Sequence, residues 1–151
     1  MILRPAGAAD VPTLRAMIQA LADGEGGSHP VASEAALLTH GFGPRPLFQA
    51  VLAEAGTPLG MVIYLPDFST HRGEAGVYVQ DIYLVPAARG TGLGQRLLAE
   101  VMARQDFGAR YMTLVVSPAN AAALRFYQRI GFRPRGYDFM ILDGESLAAL
   151  A

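Results

Sequence analysis

The sequence predicts a mixed α/β fold, chiefly from the order of its periodic segments. Three β-rich runs, residues 47–54, 59–65 and 77–85, follow one another with short breaks, which favours antiparallel pairing. Beyond them, helical and β-rich segments alternate as in a β-α-β unit. The 151 residues contain no internal repeat and no low-complexity linker, so we expect one domain spanning residues 1–151. The predicted architecture is a mixed, mostly antiparallel twisted sheet with helices on both faces.

The composition argues against several classes of protein. With 52% hydrophobic and 17% charged residues, the chain is typical of a globular protein. Its twelve basic and thirteen acidic residues lie scattered along the sequence, so we expect no nucleic-acid partner. No window approaches the roughly 18 uncharged apolar residues of a membrane span. We therefore expect no leader segment, no membrane partner and a cytoplasmic location.

Two further absences bear on catalysis. The chain has no cysteine, which excludes a thiol nucleophile and a cysteine-ligated metal. His29, His40 and His71 have no mutual spacing that suggests a metal site. We therefore expect no metal and assign none of these histidines a catalytic role.

The N-terminal part carries two helix signals after a short strand at residues 2–4. Asp10 stands as an N-cap before apolar residues at helical spacing, which predicts a helix over residues 11–22. Ser33 precedes a shorter helix, which we expect to end before Gly41 because glycine breaks helices.

The middle of the chain supplies the predicted centre of the sheet. Residues 55–58 read as the turn of a hairpin that makes the first two β-rich runs antiparallel neighbours. The third run, residues 77–85, is nearly continuous in β-branched and aromatic residues, so it should be a central strand, and Pro86 ends it. Apolar spacing then predicts a helix over residues 93–102, followed by a strand at residues 111–116.

The C-terminal part is expected to hold one helix and two strands. Asn120 opens the helical segment and Gly131 closes it, because glycine adopts the left-handed conformation of a helix C-cap at little cost. Residues 132–133 and 137–142 are β-rich and are the expected last strands.

A glycine-rich segment between the third strand and the next helix is the first sign of a binding site. Backbone N–H groups there, with the positive end of a helix, can hold a phosphate group. The dinucleotide-binding pattern fails at Leu97, and the nucleotide-triphosphate pattern fails because Gly-Lys-Ser/Thr is absent. What remains is Arg-x-x-Gly-x-Gly over residues 89–94.

This segment resembles the pyrophosphate loop of the GNAT superfamily of N-acetyltransferases, whose pattern is Gln/Arg-x-x-Gly-x-Gly/Ala directly after a strand. The resemblance implies acetyl-CoA as cosubstrate and a central pair of strands that splay apart to admit it. It also implies that backbone amides at Ile82 and Leu84 stabilise the thioester oxygen as it becomes negative. The residues that it assigns to acetyl-CoA are Ile82, Tyr83, Leu84, Arg89, Gly90, Thr91, Gly92, Leu93, Gly94, Gln95, Asn120 and Ala123.

Residues 120–132 look like a second block of that superfamily, Asn-x-x-Ala-x-x-x-Tyr-x-x-x-Gly-Phe. In the family the Asn contacts coenzyme A and the Tyr hydroxyl lies near the thioester sulfur, so the resemblance gives these roles to Asn120 and Tyr127. A tyrosine of pKa about 10 suits the general acid for a leaving thiolate of intrinsic pKa about 8.5. Because neither a cysteine nor an activated-serine motif is present, we expect direct transfer without an acetyl-enzyme.

A narrower resemblance, to the diamine and thialysine acetyltransferases, covers residues 2–142. It rests on Gly41-Phe42-Gly43, Ala53-Glu54, Phe68-Ser69-Thr70 and the run from Gly76 to Leu84. It implies a homodimer and a small primary amine as acceptor: a diamine, a polyamine or an amino-acid-like amine. Gln80 and Asp81 are the expected substrate-binding residues, although the branch usually has Glu-Asp there and acidic residues where this chain has Thr39-His40.

Gln80 leaves the route of the amine proton open. A primary amine is almost entirely ammonium at pH 7.4, and exposing its lone pair costs about 4 kcal/mol. An amide cannot accept that proton, so water along the cleft, an acceptor of lowered pKa, or Asp81 through a water must serve. Unbroken strand alternation puts Tyr78, Gln80 and Ile82 on one face. Asp81 and Tyr83 then lie on the other, so only one of Gln80 and Asp81 is expected to touch the acceptor.

Other interpretations stay open. The chain could be a non-catalytic acetyl-CoA-binding or sensing module, or could acetylate a peptide N-terminus or an antibiotic. Residues 24–46 are either a flap over the acceptor or a connector. Four carboxylates could bind a cationic acceptor but are interpreted as solvated surface groups, namely Glu34, Glu54, Asp67 and Glu74.

Overall fold

The computed structural model describes residues 1–26 and 30–151. Two compact units divide the chain, Met1–Asn120 and Ala121–Ala151. The first contains the sheet and the second follows the last strand. In the described part of the chain, no helix is long and apolar enough to cross a membrane.

The sheet of the first unit has five strands among the described residues, in the spatial order of the sequence. Neighbouring strands run antiparallel except the last pair, which is parallel. The strands are β1 (Ile2–Pro5), β2 (Gln49–Glu54), β3 (Pro58–Ser69), β4 (Glu74–Leu84) and β5 (Met112–Leu114). The predicted mixed, mostly antiparallel sheet is therefore confirmed, as are the β2–β3 hairpin and the β4–β5 crossover.

The α-helices that the described residues of this unit form are α1 (Val11–Gly24), α2 (Glu34–Phe42) and α3 (Leu93–Arg104). A single 3-10 turn, Ala8–Asp10, leads into α1. Asp10 stands at the predicted N-cap of α1, but its carboxylate makes no cap hydrogen bond to that helix. It accepts instead from both terminal nitrogens of Arg4, at 2.8 and 2.9 Å, and from the Gly7 N–H. The residue therefore joins β1 to the turn.

Helix α1 covers one face of the sheet. Leu14 and Met17 pack in one buried cluster with side chains from β2 and β3, namely Ala50, Leu52, Met61 and Ile63. Tyr83 and Val85 from the end of β4 pack against the same cluster. This face is called the α1 face below.

Helix α3 covers the opposite face. A Cβ on Gly60 would lie 3.5 Å from a methyl group of Leu97 and 2.6 Å from Leu84. Gly60 thus makes room for the Leu84 side chain of β4, and Leu97 of α3 lies over the same face of β3. Gly60 alternates with Met61, which points to α1, so helices on both faces of the sheet are confirmed.

Several predicted boundaries in this unit were wrong, among them the start of β4, which was predicted at residue 77 and lies at Glu74. Helix α2 runs through Gly41 to Phe42, and the missing side chain of Gly41 makes room for the Phe48 ring. The predicted cap is correct, since the Ser33 hydroxyl accepts from the Ala36 N–H at 3.1 Å. Strand β3 extends to Ser69, beyond the predicted end at residue 65, because β4 begins early enough to pair with all of it.

The second unit contains α4 (Ala121–Arg129) and α5 (Gly144–Ala148). The predicted strands at residues 132–133 and 137–142 are wrong, because the described residues 133–143 have neither regular secondary structure nor a paired strand. Their side chains are among the most exposed apolar groups of the chain, with Met140 at 89% and Ile141 at 85%. A β-rich sequence forms a strand only where a partner satisfies its backbone groups, and helix α5 was not predicted.

Candidate active site

A β-bulge lies in the middle of β4. Asp81 pairs with Ile63 of β3, but the next β3 residue, Tyr64, pairs with Val79. Gln80 is therefore the extra residue of β4 and has no partner in the register. Bulges of this kind bend a strand and redirect its side chains, often beside functional sites.

The bulge makes the prediction from unbroken alternation wrong. Asp81 lies opposite Ile63, which points to the α1 face, and Tyr83 packs on that face too. Ile82 pairs with Val62, one residue along β3 from Ile63, and so points to the α3 face. The extra residue thus puts Asp81 on the face where alternation had placed Gln80. Strand alternation therefore does not prevent Gln80 and Asp81 from both touching the acceptor.

Strands β4 and β5 separate beside the bulge. Their parallel pairing covers only Val77 to Val79 of β4 and Met112 to Leu114 of β5. Among the described residues no other strand pairs with β4 beyond this point. The predicted splay therefore opens at Gln80, and the second half of β4 has a free edge.

The backbone amides of Ile82 and Leu84 point to this free edge. Successive residues of a strand present their N–H groups to opposite edges. The Val85 N–H donates to the Leu59 carbonyl at 2.9 Å, on the β3 side, so Leu84 and Ile82 face the other way. Without the bulge, the amides of Ile82 and Leu84 would point towards β3. The Val77 N–H points towards β5, where it donates to the Tyr111 carbonyl, and in an unbroken strand every second N–H after it would point to the same edge, which excludes residues 82 and 84.

The glycine-rich turn follows β4 after a short 3-10 turn at Pro86–Ala88. Gly90 and Gly92 have φ angles of +74° and +83°, in the left-handed region that favours glycine. Helix α3 begins at Leu93, and the Arg96 N–H donates to the Gly92 carbonyl at 3.2 Å. The N–H groups that precede Arg96 in α3, those of Leu93, Gly94 and Gln95, stand at the positive end of the helix dipole. The turn thus has the backbone form of an anion site.

Arg89 attaches this turn to β4, and Thr91 ties the turn to the 3-10 residues that precede it. The Arg89 Nε donates to the Leu84 carbonyl at 3.1 Å, and its guanidinium lies over the Tyr83 ring, 5.7 Å from the centroid. The Thr91 hydroxyl donates to the Ala88 carbonyl at 2.6 Å. These contacts connect the free edge of β4 to the predicted pyrophosphate loop. The cofactor roles of these residues stay predictions.

Acidic and aromatic side chains occupy the α1 face of β3 and β4 towards their hairpin. Tyr78 lies on this face, since it alternates with the buried Val77 and Val79. Burial raises the pKa of its hydroxyl, and the charges of Asp81 and Asp67 raise it further. Asp67 accepts a hydrogen bond from the Tyr111 hydroxyl. We call Asp67, Tyr78, Asp81 and Tyr111 the acidic–aromatic face.

Asp81 is a partly buried carboxylate of this face. Burial raises its pKa, because a partly buried carboxylate is poorly solvated, and the negative charge of Glu25 raises it further. Glu25 directly follows α1. Sequence reasoning gave Glu25 no role and left Asp67 among the solvated carboxylates. Only the sheet register and the end of α1 bring these residues into the electrostatics of β4.

The second unit fixes the ring of Tyr127. After α4, Gly131 has a φ of +107° and its N–H donates to the Gln128 carbonyl, while the Phe132 N–H donates to the Tyr127 carbonyl at 3.0 Å. This is the Schellman arrangement of a helix C-terminus, with its usual apolar contact supplied by the Phe132 and Tyr127 rings, 5.4 Å apart. The predicted left-handed cap at Gly131 is confirmed.

The other predicted site residues lie as follows. Asn120 is the last residue of the first unit, and its N–H closes a turn onto the Ser117 carbonyl at 3.0 Å. Ala123 is partly buried in the first turns of α4. The proposed flap, residues 24–46, includes three residues outside the described ones, among them His29. Within the described residues no three His, Cys, Asp or Glu side chains form a group that could hold a metal ion.

Comparison with known proteins agrees with this geometry. The family model described as "Acetyltransferase (GNAT) family" matches residues 14–132. The chain is 31% identical to thialysine N-epsilon-acetyltransferase of Sus scrofa over 166 aligned residues, covering 100% of this chain and 97% of the relative. The protein of the same name from Bos taurus is 30% identical over the same coverage.

Solved structures share the fold. A probable acetyltransferase, 26% identical, matches with a TM-score of 0.75 and covers 95% of this chain and 100% of its own. The aminoglycoside N-acetyltransferase AAC(6')-Iy in complex with CoA has a TM-score of 0.76 at 20% identity, with 94% and 93% covered.

Proposed function

The chain belongs to the acetyltransferase (GNAT) family, and from this premise we propose that it moves the acetyl group of acetyl-CoA directly onto the primary amine of a small cationic molecule. Membership makes it an acetyl-CoA-dependent N-acetyltransferase. The acceptor class and the residue roles below are proposals that rest on the geometry of β4.

The free edge of β4 is the observation that carries the proposal. Acetyl transfer passes through a negatively charged oxygen, and oriented backbone amides stabilise such an oxygen with little reorganisation. The amides of Ile82 and Leu84 point to an edge without a paired strand among the described residues. A thioester lying along this edge can accept hydrogen bonds from N–H groups that, in an ordinary central strand, would donate to the neighbouring strand.

The turn after β4 fits the other end of acetyl-CoA. A pyrophosphate needs several N–H donors and space for its oxygens. A Cβ at Gly90 or Gly92 would meet no atom within 4 Å, so the surface of the turn is open at both positions. In this proposal the N–H groups at the start of α3 bind the pyrophosphate, and Asn120 and Ala123 contact the coenzyme further along.

The acidic–aromatic face is the proposed acceptor site. Its two carboxylates, Asp67 and Asp81, favour a cation, and the rings of Tyr78 and Tyr111 offer surfaces on which an alkyl-ammonium group packs. Both named relatives carry the name thialysine N-epsilon-acetyltransferase, which supports an amino-acid-like or diamine acceptor. Gln80, at the bulge, lies next to the reacting end of this face.

Tyr127 is the proposed general acid for the leaving thiolate. Its hydroxyl donates a proton to sulfur as the C–S bond breaks and regains one from the nitrogen, which becomes an amide. The Schellman arrangement at Gly131 and Phe132 supports this role by holding the ring in one orientation.

The remaining proposals concern the whole protein. We propose that residues 1–151 act as one functional domain, that the protein is cytoplasmic, and that it forms a homodimer. The apolar residues 137–142 support the last point, because exposed apolar patches often mark interaction surfaces.

A panel of acceptors tests the proposal by following coenzyme A release. The panel contains thialysine, lysine, 1,3-diaminopropane, spermidine, an aminoglycoside and a peptide with a free N-terminus. We expect turnover with the small amines to exceed that with a lysine-free peptide by at least about tenfold, since the small amines, unlike that peptide, carry a second ammonium to pair with the second carboxylate of the acidic–aromatic face. If the peptide or the aminoglycoside is turned over fastest, the acceptor belongs to that class instead. Acetyl-CoA binding without turnover of any acceptor would make the chain a binding module.

A further inference from the structure

We infer that Asp81 is the group that takes the proton from the acceptor ammonium, an inference that rests on the proposed function. Gln80 occupies the position where the resembling branch has a glutamate, and its amide cannot accept this proton. The structure offers a carboxylate one residue further along, on the same strand and at the same bulge.

The bulge is what makes Asp81 available. In an unbroken strand, residues 80 and 81 would point to opposite faces of the sheet. The extra residue Gln80 instead puts Asp81 on the α1 face with Tyr78. The same bulge turns the amide of Ile82, the next residue, to the free edge of β4. A proton acceptor and an oxyanion donor therefore come from adjacent residues at the point where β4 and β5 separate.

The charges around Asp81 suit a base. Glu25 contributes a negative charge from the end of α1, and Tyr78 and Tyr83 lie on its own strand and face. Ile63, directly opposite on β3, is apolar, and Asp67 lies further along β3. Among the described residues, no salt bridge joins Asp81 to an arginine. Desolvation and Glu25 both raise the pKa of Asp81, so its carboxylate is a stronger base than an exposed aspartate.

The protons balance with one base and one acid. The ammonium N–H bond breaks, its proton forms an O–H bond on Asp81, and the freed lone pair attacks the thioester carbon. When the C–S bond breaks, Tyr127 protonates the sulfur and recovers the second proton lost by nitrogen. The products are the acetamide and the thiol of coenzyme A, and Asp81 releases the net proton to water.

The pH dependence of Asp81→Asn tests this role. kcat/KM is measured from pH 6 to pH 10 with the fastest acceptor of the panel. Without a base only the neutral amine reacts, and its fraction grows tenfold per pH unit up to a pKa near 10.4. We expect a loss of about 10²- to 10⁴-fold at pH 7 that shrinks about tenfold per pH unit towards pH 10. A loss by one constant factor at every pH would overturn the inference.

Asp67→Asn is the matched control, since it makes the same change on the same face. Asp67 is proposed to attract the acceptor, so its loss should raise KM by a similar factor at each pH. A pH-dependent loss in Asp67→Asn equal to that in Asp81→Asn would show that the net charge of the face is responsible, and would also overturn the inference. An inactive parent protein would refute the proposed function instead, and Asp81 would then have no reaction to serve.

Two further measurements separate a base from a structural residue. Burial opposes the charged form of Asp81, so its pKa is higher folded than unfolded, and its ionisation lowers stability as pH rises through that interval. Asp81→Asn should therefore have a Tm at pH 8 no lower than that of the parent. Glu25→Gln should move the rising limb of the parent profile to lower pH, because it removes a charge that raises the pKa of Asp81. A lowered Tm in Asp81→Asn, together with an unmoved rising limb in Glu25→Gln, would indicate that Asp81 has a structural role.

Discussion

Tyr127 combines an observed structural contact with a proposed chemical role. Its carbonyl accepts the hydrogen bond that closes α4, and its ring packs on Phe132. The hydroxyl takes no part in either contact, so the ring can be held for structural reasons while the hydroxyl serves the reaction. Tyr127→Phe removes only the hydroxyl oxygen, so it separates the structural contact of the ring from the proposed chemical role of the hydroxyl.

We predict that Tyr127→Phe lowers kcat about 10²-fold and leaves the Kd for acetyl-CoA nearly unchanged, because general-acid assistance contributes on the order of 10² to 10⁴. Stopped-flow measurement of the chemical step checks this. Tyr137→Phe is the control, since it removes an 80% exposed tyrosine's hydroxyl, keeps the ring and changes no residue with a proposed role in the reaction. An unchanged chemical step in Tyr127→Phe would remove the hydroxyl from the mechanism.

At the scale of elements, β4, the glycine-rich turn and α3 together form the segment proposed to bind acetyl-CoA. The bulge turns the second half of β4 towards a free edge, and Arg89 attaches the turn to the Leu84 carbonyl at that edge. Helix α3 begins directly after this turn, so one continuous segment holds the amide proposed to bind the thioester oxygen and the helix N-terminus proposed to bind the pyrophosphate.

We predict that acetyl-CoA raises the Tm of the parent and that Gly94→Asp abolishes the rise, since a side chain and a negative charge would enter the proposed pyrophosphate site. At about 100 Kd the ligand contributes about 2.7 kcal/mol, or roughly 5–10 °C in a chain of this length. Ala99→Asp adds the same charge on an exposed part of α3 and should keep the full rise. Gln95→Glu adds a negative charge at an exposed position in the first turn of α3 and should reduce the rise in Tm without abolishing it. Equal rises in Gly94→Asp and the parent would refute the assignment of the turn.

At the scale of the whole molecule, residues 137–142 are the unusual feature. Tyr137, Phe139, Met140 and Ile141 are 79–89% exposed. Soluble monomers rarely leave so many neighbouring apolar side chains in water. A second copy of the chain is the proposed means of covering them.

We predict that sedimentation equilibrium gives about twice the chain mass of 16.0 kDa and that the double variant Phe139→Lys, Ile141→Lys gives the mass of one chain, because two buried charges oppose association. Ile2→Lys, another exposed apolar position at 61%, should leave the mass of the dimer unchanged. A parent protein that sediments as one chain would contradict the dimer, and a double variant that stays dimeric would move the interface elsewhere.

The sequence by itself determined the family and most of the element order. The two glycines at positions 90 and 92 adopt left-handed conformations that other residues rarely tolerate, so their spacing predicts the turn without tertiary information. Gly131 is read in the same way. Helix α3 and the β2–β3 hairpin follow from periodicity and turn residues, which are local properties of the chain.

Tertiary structure alone decided which face each side chain of β4 occupies. Gln80 carries no sequence mark of a bulge, because a bulge arises from pairing two strands that differ by one residue over the same length. That one residue reverses the direction of every later side chain and amide of β4, which is why the prediction for Asp81 failed. The prediction of strands at residues 132–133 and 137–142 was wrong for a related reason. Residues 137–142 have strand propensity, but a strand also requires a partner backbone, which propensity cannot supply.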